Sequence, residues 1–378
     1  MATHVDPKLL AELEHYGVED VRKCMQCGNC SAVCDHASGE FAFPRKQIRM
    51  AQLGLEDRLA SSLEPWLCYY CGECSEQCPR GAEPGEAMMG LRRWLTARYD
   101  FTGISRLFYK SPVAEIVAIA VVALATAAGF LTYGLSHGNI NTYDGPTAFL
   151  PSSVIHVFDW SMAAVLSALL GINALRMWWF TTGSGQRVRP PLASYLRQLA
   201  LLPINFFTQP RFKECKSKQP WFVHLVLMLS YVTMLVLIML FLHHVQEGPQ
   251  INWAVHAFGY AASIGLVGAV LYSIRARLAR SQPHARRSHD SDWIFLAMLL
   301  LVTGTGILQH ILHRTGADMA ANVMYVVHLA FVVPMLVLEV PFSKWSHMAY
   351  RPLAVYLAEV QRDALAHELP TAAVRRAV

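Results

Sequence analysis

The chain has 378 residues, of which 54% are hydrophobic and only 16% are charged. Soluble domains contain roughly 25% charged residues, so these proportions argue against a chain that is soluble throughout. The formal net charge of +5 carries no nucleic-acid signature, because the basic residues cluster beside apolar segments, as at a membrane surface. Residues 1–110 are polar and hold eight of the nine cysteines, residues 111–345 are mostly apolar, and residues 346–378 are polar again.

The N-terminal segment, MATHVDPKLLAELEHYGVED, is acidic and amphipathic. It lacks the charged region and apolar core of a secretory signal peptide. We therefore expect the cysteine-rich domain to stay in the cytoplasm. Thiols remain reduced there, which makes disulfides the weaker interpretation of its cysteines.

Two cysteine runs, KCMQCGNCSAVCDH and CYYCGECSEQCP, repeat one spacing along the N-terminal domain. The pattern C-x2-C-x2-C-x3-C, with Pro79 after the second run, is typical of bacterial two-cluster ferredoxins. In that pattern three thiolates of each run hold one [4Fe–4S] cube, and the fourth thiolate binds the other cube. The sequence therefore predicts two clusters, with Cys24, Cys27, Cys30 and Cys78 as the ligands of cluster 1 and Cys68, Cys71, Cys74 and Cys34 as the ligands of cluster 2.

Zinc is the alternative occupant of such cysteines, but a zinc site needs neither four cysteines so close together nor two identical runs. The insert between the runs, residues 35–67, predicts two short helices with Pro44 near a helix start. This wide spacing resembles that of the alpha-helical ferredoxins. We interpret the ninth cysteine, Cys215 in FKECKSK, as an unpaired loop thiol.

Six apolar segments follow, each of about 20 residues, the length that crosses a bilayer as a helix. The connections 181–220 and 275–291 and the C-terminal tail are rich in Lys and Arg, whereas the other three connections contain only Arg314. This distribution favours a multi-pass protein of the inner membrane with both termini in the cytoplasm. Within the first connection, LASYLRQLALLPINFF predicts an interfacial amphipathic helix. The predicted spans lie near 113–135, 152–180, 221–244, 253–274, 292–313 and 322–342.

Histidines occur in or at the ends of the spans, where ionisable residues are costly and usually functional. Imidazole is a common axial ligand of haem iron. The third span carries His224 and His243, and the sixth carries His328 with His347 just beyond its end; each pair is 19 residues apart. Packed antiparallel, these spans would pair His224 with His347 on the cytoplasmic side and His243 with His328 on the outer side, as ligands of two b haems.

The 19-residue spacing of each histidine pair does not suit a straight helix. Nineteen residues leave a rotation of about 100° on a straight helix, so both histidines of a span would not share one face. Bends at Pro334 and Pro341 would relieve this in the sixth span, but the third span has no Pro or Gly between its histidines. The substitutes for one of the four ligands are His244, His156, His256 and His310.

The segment HLAFVVPMLVLEVPFSKWSHMAYRP, residues 328–352, resembles the stretch that supplies one ligand to each haem in the cytochrome b subunit of respiratory nitrate reductase. The match falls on His328 and His347. The membrane half also resembles the cytochrome b subunit of heterodisulfide reductase, and the cysteine-rich half resembles the small iron–sulfur subunit of that enzyme. Both halves joined in one chain resemble the C subunits of the quinone-interacting membrane-bound oxidoreductase (Qmo) family.

This resemblance implies an all-α fold. Residues 1–110 would form an alpha-helical ferredoxin domain with two [4Fe–4S] clusters, residues 111–345 a six-span transmembrane cytochrome b bundle, and residues 346–378 a cytoplasmic tail. The implied cofactors are the two clusters, two b haems and a membrane quinone, either menaquinone or ubiquinone.

The resemblance also implies partners. These are two cytoplasmic flavin- and iron–sulfur-containing subunits, similar to QmoA and QmoB, and adenylylsulfate reductase of dissimilatory sulfur metabolism. The chain contains no nucleotide-binding glycine motif that we can find, so we expect an electron-transfer subunit that does not complete a reaction alone.

Two alternatives stay open. The same electron path would serve a heterodisulfide-reductase-like complex that acts on a thiol–disulfide pair. Alternatively, the spans only anchor the ferredoxin domain, and the histidines are structural. For quinone chemistry, Glu339 and Lys344 beside Pro341 are candidates for handling protons or holding a quinone carbonyl. The simpler interpretation is that Lys344 extends to the membrane surface and Glu339 hydrogen-bonds within the bundle.

Overall fold

The computed structural model describes residues 5–37, 39, 41–145, 147–183, 190–246 and 252–376. Within these ranges, the side chains of residues 183, 243, 245–246 and 368–376 lie outside the description. The described part is α-helical and has no strand; an isolated bridge pairs Asn139 with Ala148.

Short helices build the cysteine-rich domain, and they surround the two cysteine runs. A 3₁₀-helix, Asp20–Lys23, precedes the first run. The insert 35–67 holds three short helices where the sequence predicts two, and the first begins directly after Pro44 as predicted. The helices are α1 (Leu9–Glu14), α2 (Asn29–Ala32), α3 (Arg45–Gln52), α4 (Glu56–Ala60), α5 (Glu64–Leu67), α6 (Glu73–Glu76), α7 (Pro84–Tyr99) and α8 (Ile104–Lys110).

The rest of the chain forms a bundle of long helices with shorter ones at one end. Within the described residues, six helical segments are long and apolar enough to cross a membrane, as predicted: residues 112–137, 152–182, 219–242, 253–278, 290–314 and 318–342. The helices are α9 (Pro112–His137), α10 (Ser152–Gly183), α11 (Leu192–Gln198), α12 (Leu201–Thr208), α13 (Pro210–Lys213), α14 (Gln219–Gln246), α15 (Trp253–Leu278), α16 (Asp290–Arg314), α17 (Asp318–Pro334), α18 (Val340–Phe342) and α19 (His347–Arg376).

Polar side chains fix where several spans begin. Ser111 caps α9 by accepting a hydrogen bond from the Ala114 amide at 3.2 Å, and Pro112 occupies the first turn, where its missing N–H costs nothing. Asn252 caps α15 in the same way, through the Val255 amide at 3.4 Å. The apolar sequence between such caps continues as helix because lipid offers no partner for unpaired backbone groups.

The sixth span is not one continuous α-helix. After Pro334 it passes into a π-helix, Met335–Glu339, and then into the short α18. Ser343 leaves helical geometry altogether, with φ −124° and ψ −149°, before a 3₁₀-turn leads into α19 at His347. Proline removes a helical hydrogen bond and crowds the preceding turn, which explains the irregularity.

The third span also departs from a straight helix. Phe241 adopts φ −125° and ψ 16° inside α14, which kinks the helix between His224 and His243. The rotation of about 100° calculated for a straight helix therefore does not describe the histidines of either span.

The cysteine-rich domain packs against the basic connections of the bundle. Arg287 pairs with Asp20 at 2.7 Å, and Lys216 pairs with Glu73 at 2.9 Å. Exposed ion pairs of this kind contribute little individually. A buried aromatic contact adds to them, since the ring of Trp66 in α5 lies 5.2 Å from that of Tyr350 in α19. The cysteine domain, both basic connections and α19 therefore lie at one end of the bundle.

We expect alanine at Gly72 to weaken this docking. Gly72 has φ +89°, and a Cβ there would lie 2.2 Å from the Cβ of Pro283 in the connection between α15 and α16. Gly28 is a matched control, because its φ is also +89° but the nearest atom to its Cβ is 3.7 Å away. Both variants carry the left-handed strain of about 1–2 kcal/mol, and Gly72→Ala should lose more stability in thermal unfolding of the detergent-solubilised chain. Equal losses would contradict the docked arrangement.

Candidate functional site

The two cysteine runs adopt the same backbone conformation. The residue before the second cysteine of each run has positive φ, 61° at Gln26 and 54° at Tyr70. Gly28 and Gly72 follow that cysteine with φ of 89° in both runs. Positive φ is costly for residues other than glycine, so its occurrence at matching positions marks a loop shape that both runs need.

These loops direct backbone amides at their own cysteine sulfurs. The Gln26 amide lies 3.4 Å from Cys24 Sγ, and the Tyr70 amide lies 3.4 Å from Cys68 Sγ. Hydrogen bonds to the sulfurs are one of the means by which proteins set cluster potentials. The two runs are also tied together, since the Asn29 side chain donates to the Gln77 carbonyl at 2.6 Å.

The electrostatics of the thiols show which cysteines face one another. The pKa of Cys34 is raised to about 11, first by burial and then by the neighbouring thiols of Cys68 and Cys71. Burial also raises the pKa of Cys30, followed by the charge of Cys24 and then of Cys27. Cys34 thus faces thiols of the second run. This geometry supports the crossed ligand sets, which stay a prediction.

The cysteines fit iron–sulfur clusters chemically. Burial raises the pKa of Cys74, and the neighbouring thiols Cys68 and Cys71 raise it next, so these sulfurs resist ionisation without a cation. Cluster iron supplies that positive charge and is held by thiolates. Among the described residues, no three His, Cys, Asp or Glu side chains converge on a single metal ion; a four-iron cube instead spreads its thiolates over four corners.

The two cluster sites differ in exposure. Cys27 is exposed, and the neighbouring Met25 is 59% exposed. Cys68 and Cys74 are buried. The first run therefore presents an edge to solvent, whereas the second lies against the basic connections and α19.

Cys215 is not the isolated loop thiol that the sequence suggested. It is buried and packs with Tyr69, Phe212 and Cys71. Its Sγ lies 3.4 Å from His36 Nε2. Its thiol also hydrogen-bonds to Cys71, and this bond lowers the pKa of Cys71. The ninth cysteine is thus a neighbour of the second cluster site, which its distance in sequence concealed.

Alanine at Cys215 is expected to lower the reduction potential of cluster 2. A hydrogen bond to a ligand sulfur stabilises the more negative, reduced cluster, and its net value of about 0.5–1.5 kcal/mol corresponds to about 20–60 mV for one electron. Redox titration followed by electron paramagnetic resonance measures the shift. Cys215→Ser, which keeps a donor, should shift the potential less. Loss of iron from Cys215→Ala would instead identify Cys215 as a ligand.

Aromatic rings connect the second cluster site with the membrane bundle. Tyr69, between Cys68 and Cys71, stacks on Phe212 with ring centroids 5.1 Å apart. Phe212 lies 5.9 Å from the His224 ring, edge to face. The Arg351 guanidinium lies 4.4 Å from the Tyr69 centroid and donates to the Cys68 carbonyl at 2.6 Å. The second run is thus in contact, ring by ring, with a histidine of the third span.

The structure brings His224 and His347 together. Their ring centroids lie 6.1 Å apart, with an angle of 60° between the ring planes. Two imidazoles on opposite sides of one metal, each bound at about 2 Å, would have centroids about 6 Å apart. The break at Ser343 makes this contact possible, because His347 begins a new helix instead of continuing the sixth span.

The protonation of this pair suits metal binding. Nδ1 of His347 contacts the Lys344 carbonyl, and a proton donated there leaves Nε2 with a free lone pair. Burial lowers the pKa of His347 well below its usual range, and His224 lowers it next, so the ring is neutral. Nδ1 of His224 is buried and has no hydrogen-bond partner among the described residues.

A small pocket of about 30 Å³, partly open to the outside, adjoins the two histidines. Its lining includes Phe206, Met228, Met348 and Val355, together with Arg351. An apolar wall with one cation suits a porphyrin, whose body is apolar and whose propionates are acidic. His224 and His347 would hold the iron of such a group, which would supply one-electron transfer.

The outer histidines form a different arrangement. The His328 ring packs on α16, with Nδ1 3.0 Å from Thr305 Oγ1. The side chain of its predicted partner, His243, lies outside the described residues. Two of the substitutes meet each other instead: the rings of His256 and His310 are 5.5 Å apart.

The other two substitutes have different known neighbours. His244 is exposed, with its ring 6.4 Å from Phe241. His156 faces Asp159 within α10. Among the described side chains His256 and His310 meet each other, and the pairing of His243 with His328 stays a prediction.

Fold and site together define a helical membrane protein with a two-cluster iron–sulfur domain at its N-terminus. Residues 20–82 match the family model of the 4Fe-4S dicluster domain. The N-terminal part is similar to iron–sulfur subunits of heterodisulfide reductases. No solved structure matches the chain.

Three relatives illustrate the similarity. A heterodisulfide reductase subunit-like protein of Archaeoglobus profundus is 35% identical over 98 residues, which are 26% of this chain and 52% of the relative. An iron-sulfur subunit of the CoB–CoM heterodisulfide reductase of Methanopyrus kandleri is 34% identical, over 23% of this chain and 50% of the relative. A subunit of the ferredoxin:CoB-CoM heterodisulfide reductase of Methanosarcina mazei is 36% identical, over 25% and 56%. The chain spans about half the length of these curated relatives.

Proposed function

We propose that this chain carries electrons between a membrane quinone and soluble partner subunits, through a b haem held by His224 and His347 and through the two [4Fe–4S] clusters. The observation that carries the proposal is the contact between the second cysteine run and this histidine pair. Tyr69, Phe212 and His224 form consecutive ring contacts of 5.1 and 5.9 Å between them. A mere anchor would not need a metal-compatible histidine pair next to a cluster.

The positions of the sites support one order of electron carriers. We propose that cluster 2 lies between the histidine pair and cluster 1, because Tyr69 of the second run reaches His224 through Phe212, whereas Cys27 of the first run is exposed. The exposed edge at Met25 and Cys27 is the surface from which a soluble partner would exchange electrons with cluster 1. The proposed order is therefore quinone, haem, cluster 2, cluster 1 and partner, in either direction. A second b haem on the outer side belongs to the same proposal.

The complex to which the chain belongs has two candidate identities. Joining of the dicluster domain to a six-span bundle favours a Qmo-like complex, with two flavin- and iron–sulfur-containing subunits and adenylylsulfate reductase as the functional partner. The similarity to subunits of heterodisulfide reductases favours an equivalent complex that acts on a thiol–disulfide pair. For both complexes we propose that the cluster domain lies on the cytoplasmic face of the inner membrane, which the Lys and Arg content of the basic connections supports.

Purification of the intact complex tests the proposal. Iron and haem are quantified per copy of the chain, and reduced-minus-oxidised spectra are recorded before and after addition of a quinol analogue. We expect iron for two four-iron clusters, extractable haem b and a b-type α band that responds to quinol. A complex without haem would leave a tethered ferredoxin domain and refute the electron path. The co-purifying subunits, identified by mass spectrometry, distinguish the two complexes.

A further inference from the structure

Two glutamates meet inside the bundle at the end that carries the cluster domain. Glu115 lies in the first turn of α9, and Glu339 is the last residue of the π-helix in the sixth span. Both residues have 0% of their surface exposed. Their carboxyl groups are in hydrogen-bond contact with each other.

Few donors serve this pair. The Ser343 hydroxyl donates to Glu115 Oε1 at 2.7 Å. The other oxygen of Glu115 and both oxygens of Glu339 have no donor among the described residues when both groups are ionised. Buried polar atoms without partners are rare and call for a physical explanation.

The surroundings offer no neutralising charge. The ionisable groups that face the pair in the described structure are Tyr109 of α8 and Asp290 of α16, of which one is neutral and the other acidic. Lys110 and Lys344, each five residues from one of the two glutamates, pair with Glu12 and Asp292 respectively. Two buried carboxylates in contact cannot both keep their charge without a cation, and one shared proton gives one of the unpartnered oxygens of each glutamate a hydrogen-bond partner.

A short segment of the chain connects this pair with the histidine site. The π-helix, a form that often occurs at functional sites, changes the direction in which Glu339 points relative to a continuous α-helix. Ser343, which bonds Glu115, also accepts a hydrogen bond on its carbonyl from Ser346 Oγ at 2.8 Å. His347 follows directly. The short segment from Glu339 to His347 thus contacts the carboxyl pair at one end and His224 at the other.

We propose that Glu115 and Glu339 form a proton-binding site that shares one proton at rest and takes up a second when an electron reaches the His224–His347 site. The electron adds one negative charge at the iron, and the proton, drawn from water on the cluster-domain side, converts the remaining carboxylate into a carboxylic acid. The charge of this region is then unchanged, which matters because uncompensated charge is costly at low dielectric. Uptake of the second proton rests on the proposed haem, whereas the proton shared at rest does not depend on it.

Infrared spectroscopy of the full-length protein in lipid nanodiscs tests the shared proton. At neutral pH the wild type should show the carbonyl stretch of a protonated carboxylic acid, shifted in D₂O and by ¹³C-labelled glutamate. The band should disappear in the double variant Glu115→Gln/Glu339→Gln and persist in Asp159→Asn, which changes another carboxylate within a span. If the double variant fails to assemble, the isotope-labelled wild type decides alone. Absence of a glutamate band would overturn the proposal.

Redox titration tests the second proton. The midpoint potential of the b-type absorption should fall with rising pH in the wild type and in Asp159→Asn, and lose this dependence in the double glutamine variant. A pH dependence that survives in the double variant would refute the coupling. Absence of any b-type absorption would refute the proposed haem, whereas the glutamate band would still report on the shared proton.

Discussion

Replacing Cys34 and Cys74 together by alanine is expected to remove one cluster and to leave the other intact, so that iron per chain falls by half. Under the crossed assignment both residues are ligands of cluster 2, which then keeps only two thiolates. Cys34 faces Cys68 and Cys71 in the structure, and Cys74 faces Cys34. Iron analysis and electron paramagnetic resonance of the reduced protein measure the outcome.

The double variant distinguishes the crossed assignment from the alternative in which all four cysteines of one run bind the same cluster, because the two assignments predict different losses of iron. If Cys34 belonged with Cys24, Cys27 and Cys30, each cluster would lose one ligand and both would be degraded. Cys34→Ala/Cys78→Ala serves as the matched control, since under the crossed assignment it removes one ligand from each cluster. Equal behaviour of the two double variants would contradict the crossed arrangement.

Alanine at His347 is expected to abolish haem binding at the site that it shares with His224. Loss of an axial ligand should weaken haem binding by more than the 10–100-fold that is typical when a group hydrogen-bonded to a metal ligand is removed. Haem per chain should fall by one equivalent, and the clusters should no longer be reduced by quinol. Pyridine haemochrome analysis and the reduced-minus-oxidised spectrum report both effects.

His137→Ala is the control for this experiment, because His137 is an exposed histidine at the end of a span, with its ring stacked on Tyr133. It should keep the full haem content. Free imidazole, which can replace a missing axial ligand, should partly restore the spectrum of His347→Ala. If His347→Ala retained all its haem, the ligand pair would have to be sought among the outer histidines, His256 and His310 first.

Much of the architecture could be predicted because it depends on residues that are near one another in the sequence. The cysteine spacing indicated a two-cluster domain, and residues 20–82 match the 4Fe-4S dicluster family. The apolar segments predicted six spans, and six suitable helices occur at those places. Pro44 indicated a helix start, and α3 follows it. Domain boundaries, the crossed ligands and the haems stay predictions.

Other features could not be predicted because local irregularities and long-range packing decide them. The relative orientation of His328 and His347 around the sixth span depends on a π-helix and on a break at Ser343. A regular helical repeat in the sequence predicts neither of them. Cys215 lies far along the chain from His36 and Cys71, and only the docking of the basic connections brings them together.

The sequence by itself determined the kinds of parts in this protein: a thiolate-rich domain, six apolar helices and histidines at their ends. Spacing and hydropathy are local properties, and the covalent chain preserves them in any fold. Only the tertiary structure decided which parts meet. His224 with His347, Glu115 with Glu339 and Cys215 with Cys71 are contacts between distant segments, and their formation depends on how the helices pack and where the sixth span breaks.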